Sequence, residues 1–254
     1  VTRVIATAGK GGTGKTTTAA MITRVLVEAG TRPVLAVDAD ANANLGELLG
    51  IEVDRTLGGV REDFMVERSG LPPGMTKEAF LEMKLMSAVV ETDDVDMLVM
   101  GRPEGQGCYC AANNVLRAYM EKLQDNYPVV MMDNEAGLEH ISRLTTRKPD
   151  ALLLVTDHAR RGIEAAHRIR GLIDELGLSV ATVGLVINRV PASGLDPRVE
   201  ELVSDTGLEL LATLPEDDEV ARFDLEHRSV FELPGDNAFV STVQGLVERL
   251  QLTG

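Results

Sequence analysis

The octapeptide "GKGGTGKT", Gly9 to Thr16, decides how the rest of this 254-residue chain is read. It follows a short apolar run, "RVIAT" (3–7), and leads into an amphipathic stretch, "TTTAAMITRVLVEAG" (16–30). That is the phosphate-loop pattern G-x-x-x-x-G-K-[ST] in the strand, loop, helix setting it requires. Gly11, Gly12 and Gly14 allow the backbone to curl with its amides pointing inward, and the helix N-terminus adds positive potential. Lys15 is suited to neutralise terminal phosphates and Thr16 to offer a hydroxyl to magnesium, with Gly9, Thr13 and Thr17 completing the candidate nucleotide cradle. A glycine-rich turn that merely capped a helix would need neither the lysine nor the threonine.

Outward from the loop, apolar runs alternate with amphipathic stretches. "PVLAVD" (33–38), "DMLVM" (96–100), "VVMMD" (129–133), "ALLLVT" (151–156) and "TVGLVIN" (182–188) read as strands buried on both faces, and "LELLATL" (208–214) as a weaker one. Helical patterns over 16–30 and 163–177 each end on a glycine, the expected C-terminal residue. Strands of this kind between helices predict an α/β fold, a doubly wound and mostly parallel β-sheet flanked by helices. The rhythm breaks at about 51–95, where "SGLPPGM" (69–75) is a loop and 76–91 is partly helical. We read one domain, 1–254, carrying an insertion there.

Composition narrows the function classes. With 40 acidic against 25 basic residues the formal net charge is −15, a field that repels phosphate backbones and anionic lipid. Nucleic acid and membrane surfaces are therefore not the expected partners. No apolar run reaches the roughly 20 residues that span a bilayer, and the opening residues lack the pattern of a secretion signal. Two cysteines cannot build a disulfide framework, so the expected location is cytoplasmic. Those two, Cys108 and Cys110, stand one residue apart in "GQGCYCAANNVL" (105–116), before a predicted helix over 112–124. Taken alone, they are a metal-ligand pair, a redox couple or two packed thiols.

Lys10 adds a second lysine to the loop, and with it "GKGGTGKT" resembles the deviant Walker A motif of the MinD/ParA class of P-loop ATPases. That class includes the nitrogenase iron protein and the arsenite-pump ATPase. The resemblance implies that Lys10 reaches across a homodimer interface to the partner's nucleotide, a charge clamp for phosphoryl transfer. It implies that "VDADANANL" is a first switch in which Asp40, supported by Asp38, orients the attacking water; many relatives have proline where Ala41 stands. "MMDNEAG" is similar to the second switch D-x-x-A-G, so Asp133 would join the magnesium shell and Gly137 would approach the γ-phosphate. Asn188 and Arg189 of "INR" resemble the adenine-side pair. Pro215 and Asp217 of "LPEDDEV" resemble the loop whose backbone holds the base.

Within that class, "GCYC" followed by "MMDNEAGLEHISR" looks like the CooC-type accessory ATPases that assist nickel insertion into carbon monoxide dehydrogenase, or their counterpart for acetyl-CoA synthase. The resemblance runs from the phosphate loop to the adenine-side loop. It implies ATP or ADP, Mg2+, and Ni2+ or Zn2+ as ligands. A closed thiolate site needs four sulfurs, and a two-fold axis would supply them as Cys108, Cys110 and their symmetry mates. Glu135, Glu139 and His140 would lie on the second switch. An iron–sulfur carrier whose cluster bridges the dimer satisfies the same thiolates. A ParA-like or MinD-like partitioning ATPase fits less well, because the chain is acidic and the stretch 241–254 has a single cation, Arg249.

Overall fold

The first strand, β1 (Arg3–Ala8), lies near the middle of an eight-stranded sheet and is hydrogen-bonded on both sides to parallel strands. The computed structural model describes residues 1–40, 43–67, 74–101, 118–134, 149–175 and 177–252. Along the chain follow α1 (Lys15–Glu28), β2 (Val34–Asp38), α2 (Leu45–Leu49), α3 (Leu57–Glu67) and α4 (Lys77–Met86). Next come β3 (Val89–Val90), β4 (Val95–Val99), β5 (Val129–Asp133), β6 (Ala151–Asp157), α5 (Arg160–Glu175) and β7 (Thr182–Val190). The described chain closes with α6 (Pro197–Thr206), β8 (Glu209–Pro215), α7 (Asp218–Leu225), a 3-10 turn (Val230–Glu232) and α8 (Ala238–Arg249).

The spatial order is β3-β4-β2-β5-β1-β6-β7-β8, and every pairing is parallel except β3 with β4. Period-two alternation sorts each apolar run between the two faces. Ile5, Val34, Ala36, Val129 and Met131 belong to one core with residues of α1 and α8, such as Ile22, Leu26, Val240 and Val243. Val4, Ala6, Leu35, Val37, Val130 and Met132 belong to the other, with Leu57, Phe64, Phe80, Ile163 and Ile173 of α3, α4 and α5. Each fully buried aliphatic side chain contributes roughly 1.5–3 kcal/mol, so a parallel sheet covered on both sides is what these runs stabilise.

All seven predicted strands are present within two residues of their expected ends. The stretch 76–91 differs. Its helix starts behind Thr76, whose hydroxyl accepts from the Ala79 amide at 3.2 Å, and stops at Met86. Val89 and Val90 then turn back to pair antiparallel with Met97 and Leu98. The 51–95 stretch thus supplies two helices and an edge strand of the same sheet. The predicted helix over 112–124 is seen as helical residues 118–124, and its earlier part lies outside the described residues. Among the described residues no helix is long and apolar enough to cross a membrane.

Candidate nucleotide site

Parallel strands pointing the same way bring their C-terminal ends to one edge, and the candidate residues collect there. Glycine is required at two points of the loop by close approach: a Cβ on Gly9 would overlap the Val155 carbonyl oxygen, and one on Gly14 would overlap the Asn188 amide. Gly12 and Gly14 have φ of 79° and 90°, the left-handed region. Cβ atoms on Gly11 and Gly12 would meet nothing within 4 Å, so the loop presents bare backbone to open space. The N-terminus of α1 behind it has no side-chain cap and no acid of its own in the first turn, so its amides face the loop.

Thr13, 2% exposed, is the loop's internal tie. Its hydroxyl lies 2.9 Å from the Lys10 carbonyl oxygen and 3.0 Å from that of Val155, while its own carbonyl accepts from Asn188 Nδ2 at 3.0 Å. Lys15 is buried and its Nζ donates to the Lys10 carbonyl at 3.3 Å, whereas the Lys10 side chain is exposed. Lys15 is thus held on the loop's own backbone, and Lys10 projects from it.

Beside the loop stand three carboxylates. Asp38 ends β2 and Asp133 ends β5, directly opposite in register. Asp38 is fully buried, and its two oxygens accept from the amides of Asp40 and Leu45, each at 2.9 Å. Burial, with the like charges of Asp133 and Asp40, pushes its pKa up to about 6 despite those bonds. Burial also raises Asp133, against the Thr16 hydroxyl, the Thr7 hydroxyl at 2.8 Å from Oδ1 and the Lys15 ammonium, which all favour its ionised form. Asp40, half-buried, adds repulsion to both. A hard divalent cation would relieve that crowding, and carboxylates with a threonine hydroxyl are the oxygen donors magnesium takes. The residues fit it. Next to Asp133, the fully buried Asn134 donates through Nδ2 to the Thr7 carbonyl at 2.9 Å, while its Oδ1 has no hydrogen-bond partner among the described residues.

On the other side of the loop a cleft is lined by Gly14, Thr17, Asn188, Arg189, Pro215 and Asp217, among others. The sequence motifs assign these residues to the phosphates and the base, and the fold brings them together. Asn188 is more committed than expected, because its Oδ1 accepts from the Arg189 amide as well, leaving one N–H of the amide for a base. Arg189 is exposed with φ of 56°. Ala41, Cys108, Cys110, Glu135, Gly137, Glu139 and His140 lie outside the described residues. Among the described residues no group of three or more His, Cys, Asp or Glu could hold a metal ion directly, so a cation beside the loop would take Asp133 with the Thr16 hydroxyl rather than all three carboxylates. Thr7 was missed, since a strand threonine two residues before the loop carries no motif signal.

Residues 4–230 match the family model of the CobQ/CobB/MinD/ParA nucleotide binding domain. The chain belongs to that family of P-loop ATPases. It is 41% identical over 253 residues, 97% of the chain and 98% of the relative, to an uncharacterized ATP-binding protein of Methanocaldococcus jannaschii. It is 30% identical over 240 residues, 90% of the chain and 89% of the relative, to the carbon monoxide dehydrogenase accessory protein CooC of Rhodospirillum rubrum. In fold this CobQ/CobB/MinD/ParA member is similar to the cell division ATPase MinD of Pyrococcus furiosus, with a TM-score of 0.70, 24% identity and 99% of each chain covered.

Proposed function

We propose that the chain is an ATP-driven dimeric metallochaperone of the cytoplasm. It hydrolyses ATP to ADP and phosphate, and carries nickel, or zinc, on Cys108 and Cys110 of two chains for insertion into carbon monoxide dehydrogenase or acetyl-CoA synthase. The observation that carries this reading is the 30% identity with the CooC accessory protein over 90% of a chain that has a complete phosphate loop. The whole chain works as one nucleotide-binding unit, with 51–95 as an insertion.

Each residue has a task in that cycle. Lys15 leaves the Lys10 carbonyl for the terminal phosphates, and the backbone of Gly9–Thr17 cradles them. Lys10 serves the nucleotide of the partner chain. Asp40 orients the attacking water, while Asp38, spent on two amides, fixes the shape of the segment that carries it. Thr16 and Asp133 would hold magnesium, with Asp40 and Asp38 in support; when bound it would neutralise charge on the phosphate oxygens. Gly137 approaches the γ-phosphate, and Asn188, Arg189, Pro215 and Asp217 wall the adenine.

The test is metal analysis of protein purified without added metal, with and without ATP, beside Cys108→Ser/Cys110→Ser. One nickel or zinc per dimer, lost in the double variant while ATP binding survives, supports the proposal. Hydroxyls are poor substitutes for thiolate ligands. One metal per monomer, undiminished in the double variant, overturns it. Brown protein with iron–sulfur absorption replaces it with the cluster-carrier reading.

A further inference from the structure

Two helix caps are linked beside the candidate adenine wall. Asp217 Oδ1 caps α7, accepting from the amides of Glu219 and Val220 at 2.9 and 3.0 Å. Asn237 Oδ1 caps α8 in the same way, accepting from Phe239 and Val240 at 2.8 and 3.3 Å. The remaining atoms of the two side chains meet: Asn237 Nδ2 donates to Asp217 Oδ2 at 3.0 Å, with Glu219 Oε2 3.5 Å away. Asp217 and Phe239, two residues past the Asn237 cap, both line the cleft at Gly14 and Asn188. Through Val240 and Val243, α8 shares a core with Ile22 and Leu26 of α1, the helix that grows out of the phosphate loop. One hydrogen bond therefore ties the loop after β8 to the helix layer that carries the loop after β1.

We propose that Asn237 is a positioning residue for the nucleotide base, setting the distance between the Pro215–Asp217 wall and the phosphate loop through its bond to Asp217. The inference rests on the nucleotide reading given above. A cap alone needs only an acceptor oxygen, which Asp or Ser supplies as well as Asn. The donor N–H of Asn237 is surplus to capping, and it is spent on a carboxylate that belongs to the cleft.

That surplus defines the experiment. In Asn237→Asp the α8 cap is kept, but a carboxylate faces Asp217 and Glu219 and pushes the wall away. In Asp217→Asn/Asn237→Asp the donor and acceptor exchange places, and each side chain can still cap its own helix and complete the bond between them. Asn237→Ser keeps a capping hydroxyl too short to reach Asp217. The probe is ADP with magnesium, titrated calorimetrically into the full chain, with unliganded unfolding midpoints recorded alongside. We expect the Kd for ADP to rise at least fivefold in Asn237→Asp and in Asn237→Ser, and the exchanged double variant to bind at least threefold more tightly than Asn237→Asp. Smaller rises in both single variants, or no recovery in the double variant, overturn the proposal. Should Asn237→Asp fail to fold, Asn237→Ser decides by the same fivefold criterion. If the wild-type chain binds no ADP, it is the nucleotide reading that falls.

Discussion

Asp38 and Asp133 face each other at the ends of neighbouring parallel strands, two buried acids held beside the phosphate loop with no hydrogen bond between them. Burial of Asp38, with the charge of Asp133 adding to it, gives the protein an unusual pH dependence. Asp38 titrates at about 6 when folded against 3.8 ordinarily, so the folded state holds the extra proton between those values. Stability from this group is greatest below about pH 4 and is lost as pH rises through 6, on the order of 1 kcal/mol of it between about pH 5 and 7.5. Urea unfolding at the two pH values should show the loss, and Asp38→Asn should remove that part of the slope. An equal slope in the variant would contradict the assignment.

The same acids predict proton release. Magnesium favours the ionised carboxylates while the nucleotide's phosphates oppose ionisation, so near pH 6 Mg–ADP should expel more proton from Asp38 than ADP alone, up to about half a proton. Titrations in buffers of different ionisation enthalpy measure it, and a null result would place the cation elsewhere.

Lys15→Ala should abolish nucleotide binding, because its ammonium meets phosphates already present in the ground state. Asp40→Ala should leave ADP and ATP affinity within a few-fold of wild type and slow hydrolysis by about 10²-fold or more, the range for a group that acts on a proton in flight. Single-turnover hydrolysis separates the two. Normal turnover in Asp40→Ala would remove it from the water-orienting role.

Lys10→Ala should weaken ATP-dependent dimerisation more than nucleotide affinity, since Lys10 is the exposed lysine of the loop and Lys15 the buried one. Light scattering with and without ATP tests this, and unchanged dimerisation would deny Lys10 its place across the interface.

Tyr127→Phe probes the scaffold. Its hydroxyl donates to the buried Asp96 at 2.6 Å, and the other oxygen of Asp96 accepts from the Thr92 amide at 3.0 Å. Removing the donor leaves a buried carboxylate short of a partner, a cost of about 1–3 kcal/mol measurable by urea unfolding.

The strands were legible because a strand buried on both faces is a continuous apolar run with nowhere else to go, as "VVMMD" illustrates residue for residue. Val89 and Val90 were not, since two residues have no periodicity and owe their state to pairing with Met97 and Leu98. In the site, residue types were readable and their engagements were not. Nothing local tells that Asp38 is consumed by two backbone amides, or that Asn188 clasps a loop 175 residues earlier in the chain. Asn237 shows its capping role in the "NAFV" it begins, but its partner lies twenty residues back, and only folding reveals the pair.

Thr13, its hydroxyl set between the Lys10 and Val155 carbonyls and its own carbonyl held by Asn188, anchors the cradle to the ends of β6 and β7. A cradle anchored to two neighbouring strands takes its position from the sheet. Whatever displaces the end of β6 or β7 should therefore be felt at the phosphates, although neither strand carries a residue of the loop.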